Sequence, residues 1–254
     1  ARSVAAAGAT IDIIATSALR RADDAADFVS AVTTLVGIAP RILSGDEEAR
    51  FSFMGAISGS RPSGMLGVLD VGGGSTELAV GTAETVERTI SLEIGAVRLS
   101  ERHPALLGDR ALDRREREEV GAAARADARR ILEPLADFAG FADLRAVGGS
   151  VFTAAAMLVG DPRRDGVRIA ASQRRRLIED LLARDLAARR ALPHIRPQRA
   201  DILAAGLIIV DTACTLLAID ELQVQHADLL AGYSGSALYR AVAAPAPCDG
   251  APQR

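Results

Sequence analysis

A chain of 254 residues, 49% hydrophobic and 25% charged, is long enough to bury a real core in one large domain or two modest ones. A net charge of −3 with 3% aromatic residues argues against a general nucleic-acid binder, which needs a basic face and stacking platforms. No apolar run reaches membrane-spanning length, since Ile202 to Leu217 is interrupted by Gly206 and Asp211. Residues 1–9 are mostly alanine and lack the apolar core of a signal peptide. Cys214 and Cys248 make no disulfide framework, so a reducing cytoplasm is expected. His103, His194 and His226 are isolated, without the spacing of a zinc site. All 30 basic residues are arginine, which a GC-rich coding bias explains; Arg174-Arg175-Arg176 and Arg189-Arg190 either hold a polyanion locally or, as is commoner on a helix pattern, form a solvated face.

In chain order, Ile11–Ala15 reads as a short buried strand ending at Thr16-Ser17. Asp23-Asp24 open an amphipathic helix through Phe28, Val32 and Leu35 that stops at Gly37. Arg41–Ser44 is another short strand, after which Ser44, Gly45 and Asp46 cap a helix from Glu47 to about Ile57. The loop 58–64, rich in Ser, Gly and Pro, is the expected domain boundary. Three strands, Met65–Val71, Thr76–Gly81 and Glu84–Leu92, are expected to form an antiparallel meander. Asp113 to Phe138 is one long helical pattern, with Asp113 as N-cap and Glu116 placed as a capping-box acid. A strand at Arg145–Val147 enters Gly148-Gly149-Ser150 and a helix from Val151 to Leu158. Further helices are expected near 172–188, 199–217 and 228–242, with a strand at Glu221–Gln225. Strand clusters, glycine turns and alternating helices make an α/β chain.

The chemistry concentrates in Asp70-Val-Gly-Gly-Gly-Ser-Thr-Glu77. Gly72, Gly73 and Gly74 let backbone N–H groups converge on an anion, and the Ser75 and Thr76 hydroxyls add donors. Asp70 and Glu77 bracket the turn with hard oxygen ligands of the kind Mg²⁺ shares with phosphate. The plain alternative is a hairpin turn with two solvated acids. A Walker motif does not fit, because no Gly-Lys-Ser/Thr follows and Thr76–Val80 has no helical stripe. Gly148, Gly149 and Ser150 do open a helix, a second anion-binding geometry, or else only turn the chain.

The Asp70–Glu77 segment resembles the signature of the exopolyphosphatase and guanosine pentaphosphate phosphohydrolase (Ppx–GppA) family. Four further stretches are similar to its motifs and follow in its order: Ala15-Thr-Ser-Ala-Leu-Arg20, Leu43-Ser-Gly-Asp-Glu-Glu-Ala-Arg50, Ser91-Leu-Glu-Ile-Gly-Ala-Val-Arg-Leu99, and the helix containing Arg199-Ala-Asp-Ile-Leu-Ala-Ala-Gly206. The resemblance implies actin/sugar-kinase/Hsp70-like architecture, with ribonuclease H-like domains around a cleft. It divides the chain into 1–62, the remainder of a first domain, 63–243, a second domain, and a disordered tail 244–254. Family members begin with a strand and an Asp-x-Gly-Thr/Ser-Asn-Ser loop, which has no counterpart in Ala1–Thr10, so the first domain is expected to be incomplete.

The resemblance also implies removal of terminal phosphate from polyphosphate or guanosine pentaphosphate with Mg²⁺ (or Mn²⁺), in a protein that commonly dimerises. It assigns Glu48, ahead of Glu47, as the base acting on water, and Arg20 as a clamp on phosphate oxygens. Asp70 and Glu77 become metal ligands; the residues 72–76 and 148–150 become the phosphate cradle. Outside that context Arg20 is an ordinary surface arginine, Glu48 an ionised helix-start acid, and Glu77 a strand residue facing water. Arg98 either holds the polymer or pairs with Glu93 or Glu101. A non-catalytic polyphosphate or nucleotide sensor and an ATP-using sugar kinase are the rival readings.

Overall fold

The computed structural model describes residues 11–60, 62–141 and 143–236; the expected tail 244–254 and the end of the last helix lie outside them. The chain opens with a two-stranded parallel ladder, β1 (Ile14–Ala15) against β2 (Arg41–Ile42). Between these strands run α1 (Ser17–Arg20) and α2 (Ala25–Val36), the latter stopped by Gly37 in the left-handed region at φ +81°. Helix α3 (Gly45–Ile57) starts at the expected capping box: Glu47 N–H donates to Ser44 Oγ at 3.2 Å, and Ser44 N–H to Glu47 Oε2 at 2.9 Å.

A six-stranded sheet follows. Strands β3 (Leu66–Val71), β4 (Thr76–Gly81) and β5 (Val86–Leu92) form the expected antiparallel meander. Next to β3, and parallel to it, lies β6 (Asp143–Val147), then β8 (Glu221–Val224) parallel to β6, with the short β7 (Arg168–Ala170) antiparallel at the edge. Side chains alternate between the faces of such a sheet. On one face Leu66, Val68, Ala79 and Val147 meet Ala49, Phe53 and Ala56 of α3. On the other, Leu69, Val71, Leu78 and Val80 join the main core.

The remaining helices are α4 (Ala96–Arg102), α5 (Arg114–Leu132), α6 (Gly149–Val159), α7 (Ala171–Leu182), α8 (Leu186–Arg190), α9 (Leu203–Leu216) and α10 (Leu229–Gly235). Helix α9 is apolar nearly all round and runs through the main core, as such a helix must. Three sequence patterns break where their own residues dictate. The 113–138 pattern becomes α5 plus a 3-10 turn Glu133–Phe138, because Pro134 cannot continue the ladder. The 172–188 pattern splits because Asp185 caps α8, accepting from Ala188 N–H at 2.8 Å. The 199–217 pattern begins with a 3-10 turn at Pro197–Arg199 before α9.

Helix α10 returns from the far end of the chain onto α3. The approach is very close: a Cβ at Gly232 would stand 1.9 Å from Phe51 O, and one at Gly55 2.0 Å from Asp228 O. Phe51 and Tyr233 add an edge-to-face ring contact, centroids 5.1 Å apart. The segment before residue 58 is therefore held by both the sheet and the last described helix.

Candidate active site

The glycine turn between β3 and β4 is a hairpin, closed by Gly72 N–H donating to Ser75 O at 3.0 Å. Its outer edge is docked on the start of α4: the N–H groups of Ala96 and Val97 donate to the carbonyls of Gly72 and Gly73, both at 2.9 Å. Gly95 permits this, since a Cβ there would stand 2.4 Å from Gly73 C and O. The second glycine loop lies beside the first. Gly148 has φ +104°, and a Cβ on it would press Val71 O at 2.8 Å and Asp70 Oδ1 at 3.1 Å.

Four acids gather at this junction. Asp70 and Glu77 are directly opposed on β3 and β4, on the face beneath α3. Ser52 of α3 donates to Asp70 Oδ2 at 2.6 Å, and Ser91 of β5 to Glu77 Oε1 at 2.7 Å. Burial pushes the Glu77 carboxyl up to about 8, opposed by hydrogen bonds from Ser75 and Ser91 and reinforced by the charges of Asp70 and Glu48. Burial also raises Asp70, with Asp228 at the start of α10 adding repulsion. Glu48, 6% exposed, is raised by burial and by Asp70; Arg20 and the Ser17 backbone N–H oppose that rise.

A cleft of about 670 Å³ opens along Asp70–Gly73 and Gly148–Ser150. It is lined further by His194, Arg196, Gln198 and Arg199, and by Phe152, Ala156, Pro162 and His226; of the acids Asp70 and Asp228 line it, while Glu48 and Glu77 do not. The Phe152 and His226 rings are stacked, centroids 4.9 Å apart. The Arg199 guanidinium lies against Gly149, where a Cβ would stand 1.7 Å from Nη1. Among the described residues, neither Arg196 nor Arg199 has a carboxylate in ion-pair range.

Several expected contacts are corrected. Thr76 is fully buried and its hydroxyl donates to Ile94 O at 2.6 Å, so it braces the hairpin rather than facing an anion. The Ser75 hydroxyl is engaged by Glu77. Glu77 does not face water; it is 3% exposed. Arg20 donates through Nη1 to Glu48 Oε1 and to Leu43 O, the latter at 2.8 Å, so it holds the candidate base. Arg98 pairs with Glu93 at 3.2 Å. Glu47 is spent on the cap and on Arg41, leaving Glu48 as the acid turned toward Asp70.

A divalent cation fits the opposed pair of half-buried Asp70 and buried Glu77: the Asp70 charge helps raise Glu77, and Asp228 helps raise Asp70, a like-charge repulsion that a counter-ion would relieve. Among the described residues no group of three or more His, Cys, Asp or Glu is arranged to hold a metal by itself.

The model of the Ppx/GppA phosphatase family matches residues 4–236. The chain belongs to this family. It is accordingly a hydrolase acting on phosphoanhydrides, with the actin-like fold of the Ppx/GppA proteins. Among solved structures, an exopolyphosphatase of Cytophaga hutchinsonii superposes with a TM-score of 0.79 at 21% identity, covering 95% of this chain and 78% of that one. The Ppx/GppA family member of Aquifex aeolicus gives 0.77 at 22% identity, covering 94% and 78%. An exopolyphosphatase-like protein gives 0.77 at 26% identity, covering 91% and 78%. Among the described residues no helix is long and apolar enough to cross a membrane.

Several site residues had no functional reading in the sequence, Arg196 and Phe152 of the cleft among them. Ser52 lies one turn after Glu48 on α3, a spacing that places both on one face. Ser91 and Arg199 sit inside motif stretches without a stated role. Asp228 carried no local signal, because only the return of α10 brings it to Asp70.

Proposed function

We propose that this Ppx/GppA chain releases orthophosphate from the end of inorganic polyphosphate by attack of water on the terminal phosphorus. Glu48 takes the proton from the water as its oxygen bonds to phosphorus. The anhydride P–O bond breaks, and its electron pair leaves with the shortened chain. Asp70 and Glu77 hold Mg²⁺ or Mn²⁺, which supplies charge neutralisation for the phosphoryl oxygens. The amides of Gly72–Gly74 and the start of α6 at Gly148–Ser150 bind the phosphates, and Arg196 and Arg199 carry the following units. Arg20 keeps Glu48 turned into the site. The observation that supports this reading is one cleft lined by Asp70, both glycine loops, Arg196 and Arg199, the two arginines having no carboxylate in ion-pair range among the described residues.

A second reading has its own observation. The stacked Phe152–His226 pair with Ala156 and Pro162 gives a nucleobase an apolar wall, which bare polyphosphate would not use. It supports a 5′-phosphohydrolase acting on guanosine pentaphosphate. We place either activity in the cytoplasm; a homodimer is proposed only from the resemblance. Phosphate release from polyphosphate and from guanosine pentaphosphate, each with Mg²⁺ or Mn²⁺, separates the two, and inertness on both refutes the proposal. Glu48→Gln is expected to lower kcat by about 10²–10⁴-fold while leaving polyphosphate binding in place. A sensor would show no turnover to lose.

A further inference from the structure

Among the described residues, two other than glycine hold positive φ: Ala218 at +56° and His194 at +67°. Ala218 follows Leu217, the C-cap of α9, where helices commonly turn left-handed. His194 stands three residues beyond the Ala191 C-cap of α8 and has no such reason. It is the third residue of the turn Leu192-Pro193-His194-Ile195, closed by Ile195 N–H donating to Leu192 O at 3.4 Å. Proline in second place and positive φ in third are the pattern of a type II turn, whose third place favours glycine. Leu192 and Ile195 both pack on the main core, so the turn is pinned from either side and holds His194 in this conformation. Glycine would satisfy the turn without steric cost, so an imidazole there asks for a use beyond the turn. Its place supplies one. His194 is exposed and lines the cleft together with Arg196, Gln198 and Arg199. His103 pairs with Asp127 and His226 with Asp165, both at 3.4 Å. Neither ring nitrogen of His194 has a hydrogen-bond or ion-pair partner among the described residues. An imidazole donor thus shares the cleft with two guanidinium groups that also lack carboxylates, a set of donors suited to the oxygens of an extended phosphate chain.

We propose that His194 is a substrate-contacting residue, whose ring donates to a non-terminal phosphate oxygen of a linear phosphate chain held by Arg196 and Arg199. The turn keeps a left-handed histidine for that contact. This contact rests on the phosphoanhydride reading, which it deepens by adding a donor that belongs to neither glycine loop. Polyphosphate and the 5′ end of guanosine pentaphosphate share the chain chemistry, so a ligand of each kind is tested.

The test is calorimetric binding of tripolyphosphate and of guanosine 5′-triphosphate to the full chain in EDTA, with thermal melting measured on the same samples. His194→Gly gives the turn its favoured residue and removes the ring. His194→Asn also removes the ring but keeps a side chain that tolerates the left-handed region. Each is expected to weaken tripolyphosphate binding by about 5- to 10-fold, the loss of one hydrogen bond to a charged oxygen, with an unchanged or higher melting temperature. Ala218→Gly relaxes the same conformation outside the cleft and should leave binding unchanged. A loss with both ligands supports a contact to phosphate whatever the chain is attached to, and a loss with tripolyphosphate alone supports a contact to the bare chain. A loss confined to guanosine 5′-triphosphate overturns the proposal. So do unchanged binding in both His194 variants, a loss that comes with a lowered melting temperature, an equal loss in Ala218→Gly, and a wild type that binds neither ligand. Phosphate release by the wild type with Mg²⁺ is read separately: inertness on polyphosphate and guanosine pentaphosphate refutes the hydrolase reading, while the affinities still judge His194.

Discussion

Glu77 illustrates how a single residue carries the cost of a built site. Its carboxyl is pushed up from 4.5 to about 8 by burial and by the neighbouring charges of Asp70 and Glu48. The folded, metal-free protein therefore binds this proton more tightly than the unfolded chain. Its contribution to stability is complete below about pH 4.5 and declines as pH rises through about 8. Within that window the metal-free melting temperature is expected to fall by roughly 3 °C per pH unit. Glu77→Gln should flatten the slope, and a differential scanning fluorimetry series in EDTA measures it. Mg²⁺ competes with the same proton, so its stabilisation of wild type should be larger at pH 8 than at pH 6. Glu77 was recognisable in the sequence as an acid beside a glycine turn. Its burial was not, because burial follows from α3 lying over that end of the sheet.

At the scale of elements, the sharpest dependence is the seating of α10 on α3. Gly232→Ala would drive a methyl group to 1.9 Å from the Phe51 carbonyl, a backbone atom that cannot rotate away. The expected loss is about 2–3 kcal/mol, read from the urea midpoint. Activity should fall too, since α3 carries Glu48 and Ser52 while α10 brings Asp228. Local punctuation made most elements legible: the Ser44/Glu47 and Asp113/Glu116 capping boxes and the stop at Gly37 all act within one turn of chain. What stayed hidden was made by distant packing. The three-residue β7 has too few positions for an alternation to register, and nothing near Asp228 announces that it will meet Asp70.

For the whole molecule the relevant feature is the pair of arginines, Arg196 and Arg199, that line the cleft with the glycine loops. With a net charge of −3, the protein as a whole repels polyanions, so capture depends on local cations. Arg196→Ala and Arg199→Ala are each expected to raise KM for polyphosphate by about 10-fold with little change in kcat. Both variants should also show a shallower dependence of KM on added salt, which steady-state assays between low and physiological ionic strength record. The motifs exposed the acids because Asp70 and Glu77 bracket one glycine turn. The two arginines come from the segment before α9, and only the fold brings Arg199 against Gly149.

The docking of the hairpin on α4 has one more result. With the Gly72 and Gly73 oxygens already tied to Ala96 and Val97, the hairpin's peptide planes are locked and cannot rotate to offer those oxygens to a cation. On the proposed reading a metal ion would then be left to the carboxylates and the phosphates to the glycine amides. The two kinds of charge would be sorted before such a substrate arrives.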